Sequence, residues 1–368
     1  MTMKLRQWVL GAVLLSALVP SAAPADEMSV VWDNFANGFS VDTAGAKWTY
    51  FKAGGFTGNN GLTTPYAGGM YVRAPGTNPS TGKPAYTLSV APEASSGLPG
   101  GIDHVKWLAY MNTTSSWGFP GFNVGFREAL ECSTSLSAQT FGTEYHPFGG
   151  LVSNAQDDLR LAGVAMNTVD FESNMVFDFM LTNQRVYVIY ERLPFGRTAT
   201  NHYAAFTYAI PVKARTPSQT HQMTISYDRM ARTVTWILDG VVVFTVTQPG
   251  YRIDRQWMVI DHGGTEQAVV MRQLNCGMGM FSLLDGSMNW GAGLVRLSST
   301  PGFYFLPPVG TSSALSFADE TSQHSSRLFG QGAAFTIGPY YVTRYSTWVD
   351  PCPYDPQYPR QRCELQPY

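Results

Sequence analysis

Residues 223–247, with the sequence MTISYDRMARTVTWILDGVVVFTVT, contain the clearest signal for local structure in the chain. Two runs rich in β-branched residues flank the dipeptide Asp239-Gly240 without any further linker. An Asp-Gly pair in this position is typical of a tight β-hairpin, because both central residues of the turn adopt a positive φ angle. A preceding strand is expected to end and turn at 227–229. This stretch therefore predicts antiparallel β-structure.

The remainder of the chain continues in short alternating runs that are interrupted by Gly, Pro, Asn and Asp. Alternation with a period of two, in pieces this short, favours a sandwich of two antiparallel sheets. No helix is predicted after residue 25, and the Gly-rich stretch 274–294 is predicted to be irregular. Further strands are expected at 69–74, 128–140, 159–171, 175–182, 185–191 and 334–345.

The first 25 residues have the three parts of a secretory signal peptide. Lys4 and Arg6 give a positive start, an apolar stretch of 12 residues runs from Trp8 to Val19, and residues 23–25 form a small-x-small cleavage site. A membrane span needs about 20 apolar residues, so this stretch is too short for a stable anchor. We therefore expect residues 1–25 to be removed and the mature chain to be secreted into the extracellular space.

The composition suits one large β-domain, expected at 26–346, followed by a Pro-rich tail at 347–368. Charged residues make up only 14% of the sequence and aromatic residues 13%, whereas a typical soluble protein is about a quarter charged. The net charge of −2 gives no attraction to nucleic acid or anionic lipid. Few charges together with many Tyr and Trp side chains suit a surface that stacks on neutral sugars, and they suit a large β core equally well.

The hairpin region resembles a known group of sandwich proteins, the concanavalin A-like lectins and glucanases. In that group a His often opens the strand, as His221 does here, and a W-x-x-D-G hairpin follows, as residues 236–240 do. The sequence VWDNFANGFSVDTAGAKWTYF at 31–51 is similar to the opening strand and loop of laminarinase-type β-glucanases. The likeness extends in order over residues 31–345 and implies a concanavalin A-like jelly roll of two antiparallel sheets.

At full length the chain also resembles a family of secreted bacterial proteins with a domain of unknown function. That family implies no particular reaction. The stretches that carry the resemblance are HVKWLAYMN (104–112), DDLRLAGVAMNTVDFE (157–172), YERLPFGR (190–197), DHGGTE (261–266) and QLNCGMGM (273–280).

Residues 168–172, TVDFE, are similar to the E-[ILV]-D-[IF]-E strand of laminarinase-type enzymes. In those enzymes the three acids serve as a nucleophile, a tuning carboxylate and a general acid/base. Residues two apart on a strand point to one face, so Asp170 and Glu172 are expected to project together into the concave sheet as catalytic groups. Thr168 stands where the nucleophile would be, and a hydroxyl cannot replace a carboxylate there without an activating base.

The missing nucleophile leaves three interpretations of this strand open. A different carboxylate, Glu191 or Asp178, is a candidate for the second acid. Alternatively, the strand lines a sugar-binding groove without catalysis. The third interpretation is that the match is a coincidence in a β-rich chain.

Several aromatic and polar side chains are candidates for contacts with a sugar. Trp107 and Tyr110, in the same predicted strand as His104, are candidates to stack on a sugar ring. Arg192 directly follows a carboxylate, but neighbours on a strand point to opposite faces, so these two are not expected to pair. His262 lies in an H-G-G turn similar to the oxyanion loop of lipases, although the chain has no G-x-S-x-G elbow. Ordinary packing and a hydrogen-bonded turn are the competing interpretations.

No cofactor is expected, because the sequence has no C-x-x-C, H-E-x-x-H, P-loop or dinucleotide-binding glycine motif. The sequence neither requires nor excludes a structural calcium ion, and no ligands are assigned to one. The sequence predicts a monomeric secreted protein that recognises a polysaccharide or other glycan, without nucleic acid as a partner and without a membrane anchor in the mature chain. Two functions are retained: a glycoside hydrolase or lyase, and a non-catalytic lectin-like or surface protein.

The four cysteines are predicted to be fully oxidised, since an even number is typical of disulfides in an exported protein. Cys352 and Cys363 are close in sequence and should pair with each other, which leaves Cys132 to pair with Cys276. In the chain-entropy model the disulfide of the tail would raise the free energy of unfolding by about 3 kcal/mol, because it restricts the unfolded chain. Peptide mapping by mass spectrometry under non-reducing conditions checks both pairs, and free thiols or a bridge from tail to core would contradict them.

Overall fold

The computed structural model describes residues 28–89, 102–286, 293–298, 304, 317–319 and 322–347. Two nine-stranded antiparallel sheets form its framework. The first sheet consists of β1 (Met28–Asp33), β5 (Leu62–Tyr66), β6 (Gly69–Arg73), β11 (Glu128–Phe141), β16 (His221–Asp228), β17 (Thr233–Leu238), β18 (Val241–Thr247), β21 (Gly332–Ile337) and β22 (Tyr340–Ser346).

The second sheet consists of β2 (Trp48–Tyr50), β9 (Val105–Met111), β10 (Phe122–Asn123), β12 (Gly163–Asp170), β13 (Met175–Leu181), β14 (Arg185–Arg192), β15 (Phe206–Ala214), β19 (Met258–Asp261) and β20 (Gln273–Phe281). Two short ladders join β3 (Lys52–Ala53) to β4 (Phe56–Thr57) and β7 (Gly76–Thr77) to β8 (Pro84–Ala85). The described helices are α1 (His324–Arg327) and the 3-10 turns Thr143–Tyr145, Gly149–Leu151, Ala155–Asp157, Pro194–Gly196 and Arg255–Trp257.

The strand order identifies the sandwich that the sequence predicted. The first sheet runs β18-β17-β16-β11-β21-β6-β5, with β22 beside β11 and β1 beside β22. The second runs β19-β15-β14-β13-β12-β20-β9-β2, with β10 beside β20. One large apolar cluster contains side chains from both sheets and forms the core between them. The prediction of an all-β, concanavalin A-like jelly roll is therefore confirmed.

The hairpin between β17 and β18 has the geometry that its sequence predicts. Asp239 and Gly240 have φ angles of 53° and 79°, as a tight turn of this kind requires. His221 Nδ1 lies 2.9 Å from the Asp239 carboxylate. Trp236 crosses the core and donates its indole N–H to the backbone carbonyl of Asp178, at 3.0 Å, in the second sheet. The hairpin therefore fixes the position of the strand that carries Asp178.

The second sheet is buried on both faces, because a further apolar cluster covers the face that is turned away from the first sheet. Every residue of β9, β12, β13 and β20 is buried. The prediction that 274–294 is irregular is wrong for β20, which pairs with β12 along almost its whole length. Its glycines are required by close packing: a Cβ on Gly277 would lie 2.6 Å from the Tyr110 ring and 2.7 Å from the Ala109 carbonyl oxygen.

Two other boundaries differ from those predicted. The expected final strand at 334–345 is two strands, β21 and β22, which are separated by Gly338 and Pro339. Proline has no backbone N–H and cannot continue the hydrogen-bonded ladder. The short helix α1 was not predicted, and the strand expected at 159–171 spans only Gly163–Asp170.

A disulfide joins the two sheets. Cys132 in β11 is bonded to Cys276 in β20, with Cα atoms 5.9 Å apart and 144 positions between them in the sequence. This predicted pair is confirmed. Residues 1–25, Cys352 and Cys363 lie outside the described residues, as does the predicted tail beyond Thr347. No helix within the described ranges is long and apolar enough to cross a membrane.

Replacement of Gly277 by alanine is expected to lower the free energy of unfolding by about 1–3 kcal/mol, because the new methyl group collides with a ring and a backbone oxygen. Gly55→Ala is the matched control, since a Cβ there meets no atom within 4 Å. Urea unfolding monitored by Trp fluorescence measures both variants. Equal stability of the two variants would contradict the packing role of Gly277.

Candidate functional site

The alternation of β12 determines which of its side chains can reach a ligand. Val164 and Met166 lie in the core between the sheets, whereas Ala165 and Val169 lie in the cluster on the outer face, away from the first sheet. By the same alternation Asn167 points to the outer face. The side chains at 168 and 170 therefore point toward the first sheet.

The predicted position of Asp170 and Glu172 on one concave face is wrong. Asp170 is the last residue of β12 and accepts a hydrogen bond from Gln273 Nε2 at 2.6 Å. Glu172 follows in a turn, where Arg272 Nε donates to its carboxylate at 2.7 Å. The strand ends before Glu172, so the two-residue repeat does not set the direction of its side chain. Gln273 Nε2 also donates to the Glu172 carboxylate at 3.0 Å, so the two acids lie close together, but neither lines the cleft described below.

A cleft of about 150 Å³ opens on the outer face of the second sheet. Much of its lining is apolar and comes from the outer cluster. Its polar and titratable lining residues are His104, Tyr110, Asn167, Asp178, Glu191, Thr207, His262 and Asp285.

Two cross-strand rows contain five of these side chains. The first row runs from Tyr110 through Gly277 and Asn167 to Asp178, each paired with the next on a neighbouring strand. Because Gly277 has no side chain, the ring of Tyr110 can occupy the space above it. In this row Asn167 Nδ2 donates to Asp178 Oδ1 at 2.7 Å.

The second row runs across β13, β14 and β15 and contains Val176, Glu191 and Thr207. The hydroxyl of Thr207 donates to the Glu191 carboxylate at 2.5 Å. Asp178 pairs with Ile189, so Glu191 is its diagonal neighbour on the same face. Diagonal neighbours have α-carbons about 7–8 Å apart, which allows two acidic side chains to interact.

Burial makes these acids difficult to ionise. It raises the pKa of Asp178 well above its usual value, and the negative charge of Glu191 adds to that effect. Burial also raises the pKa of Glu191 to about 7. The hydrogen bond from Thr207 opposes this rise, and the negative charge of Asp285 adds to it. The pKa of Asp285 is raised by burial, with an opposing effect of His104. At neutral pH the Asp178–Glu191 pair therefore retains a proton and can act as a general acid.

Four of the residues that the sequence nominated line the cleft: Glu191, His104, Tyr110 and His262. Two of the predicted sugar contacts do not. Trp107 is fully buried between the sheets, with its ring centroid 5.8 Å from that of Phe335. The guanidinium carbon of Arg192 lies 3.9 Å from the centre of the Tyr203 ring, on the face opposite Glu191.

Sequence reasoning did not nominate Asn167, Thr207 or Asp285, and it gave Asp178 only as an alternative. Asn167 immediately precedes the TVDFE motif. A shift of one residue along the strand therefore separates the side chains predicted to face the ligand from the one that lines the cleft. Asp285 lies in the segment that was predicted to be irregular. Within the described ranges, no cluster of three or more His, Cys, Asp or Glu side chains could hold a metal ion.

The raised pKa of Glu191 has a consequence for stability. A carboxyl group whose pKa rises from 4.5 to about 7 on folding stabilises the folded state fully below pH 4.5. That contribution is lost as the pH rises through 7. The loss is at most about 3 kcal/mol, at about 1.4 kcal/mol per pH unit. Glu191→Gln should therefore flatten the fall in stability between pH 4.5 and 8.

Denaturant unfolding at intervals over this pH range measures the effect. Glu144→Gln, which changes an exposed acid, is the control and should retain the wild-type dependence. Parallel pH profiles for wild type and Glu191→Gln would show that Glu191 is not a perturbed acid.

Comparisons with known proteins show only remote likeness. An uncharacterized protein, L829, of Acanthamoeba polyphaga mimivirus is 29% identical over 245 residues, and the match covers 51% of this chain and 55% of that protein. The chain thus spans about half the length of this curated relative. A sialidase structure matches 84% of the chain with a TM-score of 0.36 and 9% identity, and only 18% of the sialidase is covered.

The β-glucanase of Bacillus licheniformis matches 88% of the chain and 98% of its own length, with a TM-score of 0.34 and 11% identity. Scores this low do not transfer an activity. The sequence profile of DUF6081, described as a family of unknown function, matches residues 32–346. The predicted membership of a family with a domain of unknown function is confirmed, and the protein belongs to that family.

Proposed function

We propose that the outer-face cleft binds a carbohydrate and that Asp178 and Glu191 form the acid pair of a glycoside hydrolase. The observation that carries this proposal is the pair itself: two acids on adjacent strands, diagonal on one face, share an environment that keeps a proton on them at neutral pH. A glycosidase requires one protonated and one ionised carboxyl group beside the scissile bond. Such a pair meets that requirement.

The protonation of the pair indicates how the two roles divide. Burial and the negative charge of Glu191 raise the pKa of Asp178 well above its usual value, whereas the pKa of Glu191 is raised only to about 7. Asp178 Oδ1 accepts from Asn167 Nδ2 and from the backbone N–H of Thr168, at 2.7 and 3.2 Å. In the proposed reaction Asp178 donates its proton to the leaving glycosidic oxygen, and Glu191, which is partly exposed to the cleft, acts as the nucleophile or activates water.

The lining of the cleft favours hydrolysis over the lyase reaction that the sequence also left open. No Lys or Arg is among the residues that line the cleft in the described part of the chain. A lyase acting on an anionic polysaccharide has to hold the sugar carboxylate, and the acids at 178, 191 and 285 would repel it. The arrangement therefore supports a substrate without negative charge.

The alternative function is glycan binding without catalysis. One observation favours it: a cleft of about 150 Å³ is smaller than the ~300–1,000 Å³ typical of ligand pockets, and it suits a single sugar ring. Tyr110 offers an aromatic surface, and its ring packs edge-on against Phe171 at 5.2 Å. Binding of one terminal sugar would use these features without bond cleavage.

We further propose that the protein acts as a secreted monomer. The disulfide between the sheets supports an oxidising compartment, since such bonds are rare in the reducing cytosol. Extracellular polysaccharide is then the available class of substrate.

A hydrolysis screen on neutral polysaccharides, with reducing-end detection, tests the proposed reaction. For any substrate that is cleaved, Glu191→Gln should lower kcat by at least about 10²–10⁴, the usual contribution of a general acid or base. Glu172→Gln is the matched control because Glu172 pairs with Arg272 outside the cleft, and it should retain activity near that of the wild type.

The two functions give different results for the same variants. If the protein only binds glycan, no substrate is cleaved, and Glu191→Gln should weaken affinity by about 1 kcal/mol for one lost hydrogen bond. Loss of activity in Glu172→Gln with full activity in Glu191→Gln would overturn the assignment of the site.

A further inference from the structure

One hydrogen-bond acceptor in the cleft has no donor. Asn167 is only 3% exposed, and no donor in the described part of the chain reaches its Oδ1 atom. Its Nδ2 donates to Asp178, which fixes the orientation of the amide. Asn167 also lines the cleft. Because a buried acceptor without a donor is costly, this atom marks where a ligand supplies one.

Asp178 and Glu191 also lack a Lys or Arg partner among the described residues that line the cleft. Elsewhere the chain pairs its buried charges: Asp103 is 2% exposed and lies 3.0 Å from Lys106 and 3.1 Å from Arg327. Among the described residues around the cleft, no Lys or Arg lies opposite Asp178 or Glu191. A cation from outside the protein would offset both the repulsion between these acids and their loss of hydration.

Three acceptors therefore converge on one side of the cleft. Asn167 and Asp178 are directly paired across β12 and β13, and Glu191 is the diagonal neighbour of Asp178. A primary ammonium group has three N–H donors and a single positive charge. Its donors match the number of acceptors, whereas a sugar hydroxyl has one donor and no charge. The chain presents no cluster of acids and histidines suited to a metal ion within the described ranges.

We infer that the ligand of this cleft is an amino sugar with an unsubstituted amine, whose ammonium group donates to Asn167 Oδ1 and pairs with the ionised carboxylate of the Asp178–Glu191 pair. This inference rests on the proposed function, since it names the class of sugar that the same site binds. Hydrogen bonds from a charged donor are about twice as strong as neutral ones. The amine is therefore the group that the cleft selects.

Isothermal titration of the full chain with glucosamine, glucose and N-acetylglucosamine, in buffer at neutral pH, tests the inference. The three sugars share one ring and differ at a single substituent. Glucosamine should bind at least about tenfold more tightly than glucose, which corresponds to about 1.4 kcal/mol. N-acetylglucosamine should show no such advantage, because acetylation removes the charge.

Variants separate the charge from the general shape of the cleft. Glu191→Gln keeps the size of the side chain and should reduce the preference for glucosamine over glucose to less than about threefold. Asn167→Val removes the acceptor that has no donor and should also reduce the preference for glucosamine over glucose. This variant replaces Glu191→Gln if the latter does not fold, which thermal melting checks. Glu172→Gln, outside the cleft, should preserve the tenfold preference.

Equal binding of glucosamine and glucose would overturn the inference, and it would leave the proposed function intact if cleavage still depends on Glu191. Stabilisation against heat by calcium chloride but not by glucosamine would also overturn the inference, because the cation bound in the cleft would then be a metal ion. If no sugar is bound or cleaved, the inference and the proposed function both fail.

Discussion

The burial of the second sheet on both faces is the constraint on which the other features of this protein depend. One face packs on the first sheet, and the other is covered by loops and a separate apolar cluster. A polar side chain on either face is therefore removed from water unless it lines the cleft. For that reason a small number of acids on the outer face have raised pKa values, whereas the same residue types on an exposed strand would ionise in their usual range.

The cleft is assembled by strand register. Tyr110, Gly277, Asn167 and Asp178 come from four strands that are distant in sequence and lie in one cross-strand row. The row depends on a glycine at its centre, because any side chain there would displace the ring of Tyr110. Core packing and the chemistry of the site are thus linked through one residue.

Contacts through the core hold this row in place. Trp236 in the first sheet donates to the backbone carbonyl of Asp178, and the disulfide fixes Cys276 beside Gly277. These interactions stabilise a sheet in which Asp178 and Glu191 have no Lys or Arg partner among the described residues that line the cleft. An arrangement that costs stability in the folded protein is typical of sites that bind or transform a ligand.

The sequence by itself determined the fold class, the strands of the central hairpin and the pairing of Cys132 with Cys276. Each depends on local residue types: alternation, a turn that requires Asp-Gly, and an even number of cysteines. The resemblance to a family of unknown function was likewise readable from short stretches of sequence. Glu191, His104, Tyr110 and His262 were nominated from their residue types alone, and they line the cleft.

Only the tertiary structure decided which acids face that cleft. A motif match placed Asp170 and Glu172 on the concave face, but a strand that is buried on both sides has no polar–apolar alternation to reveal its orientation. Its register is set by hydrogen bonds to β13 and β20, which are distant in sequence. A shift of one residue exchanges the two faces of a strand. For this physical reason the proposed site is centred on Asn167 and Asp178 and not on the acids of the motif.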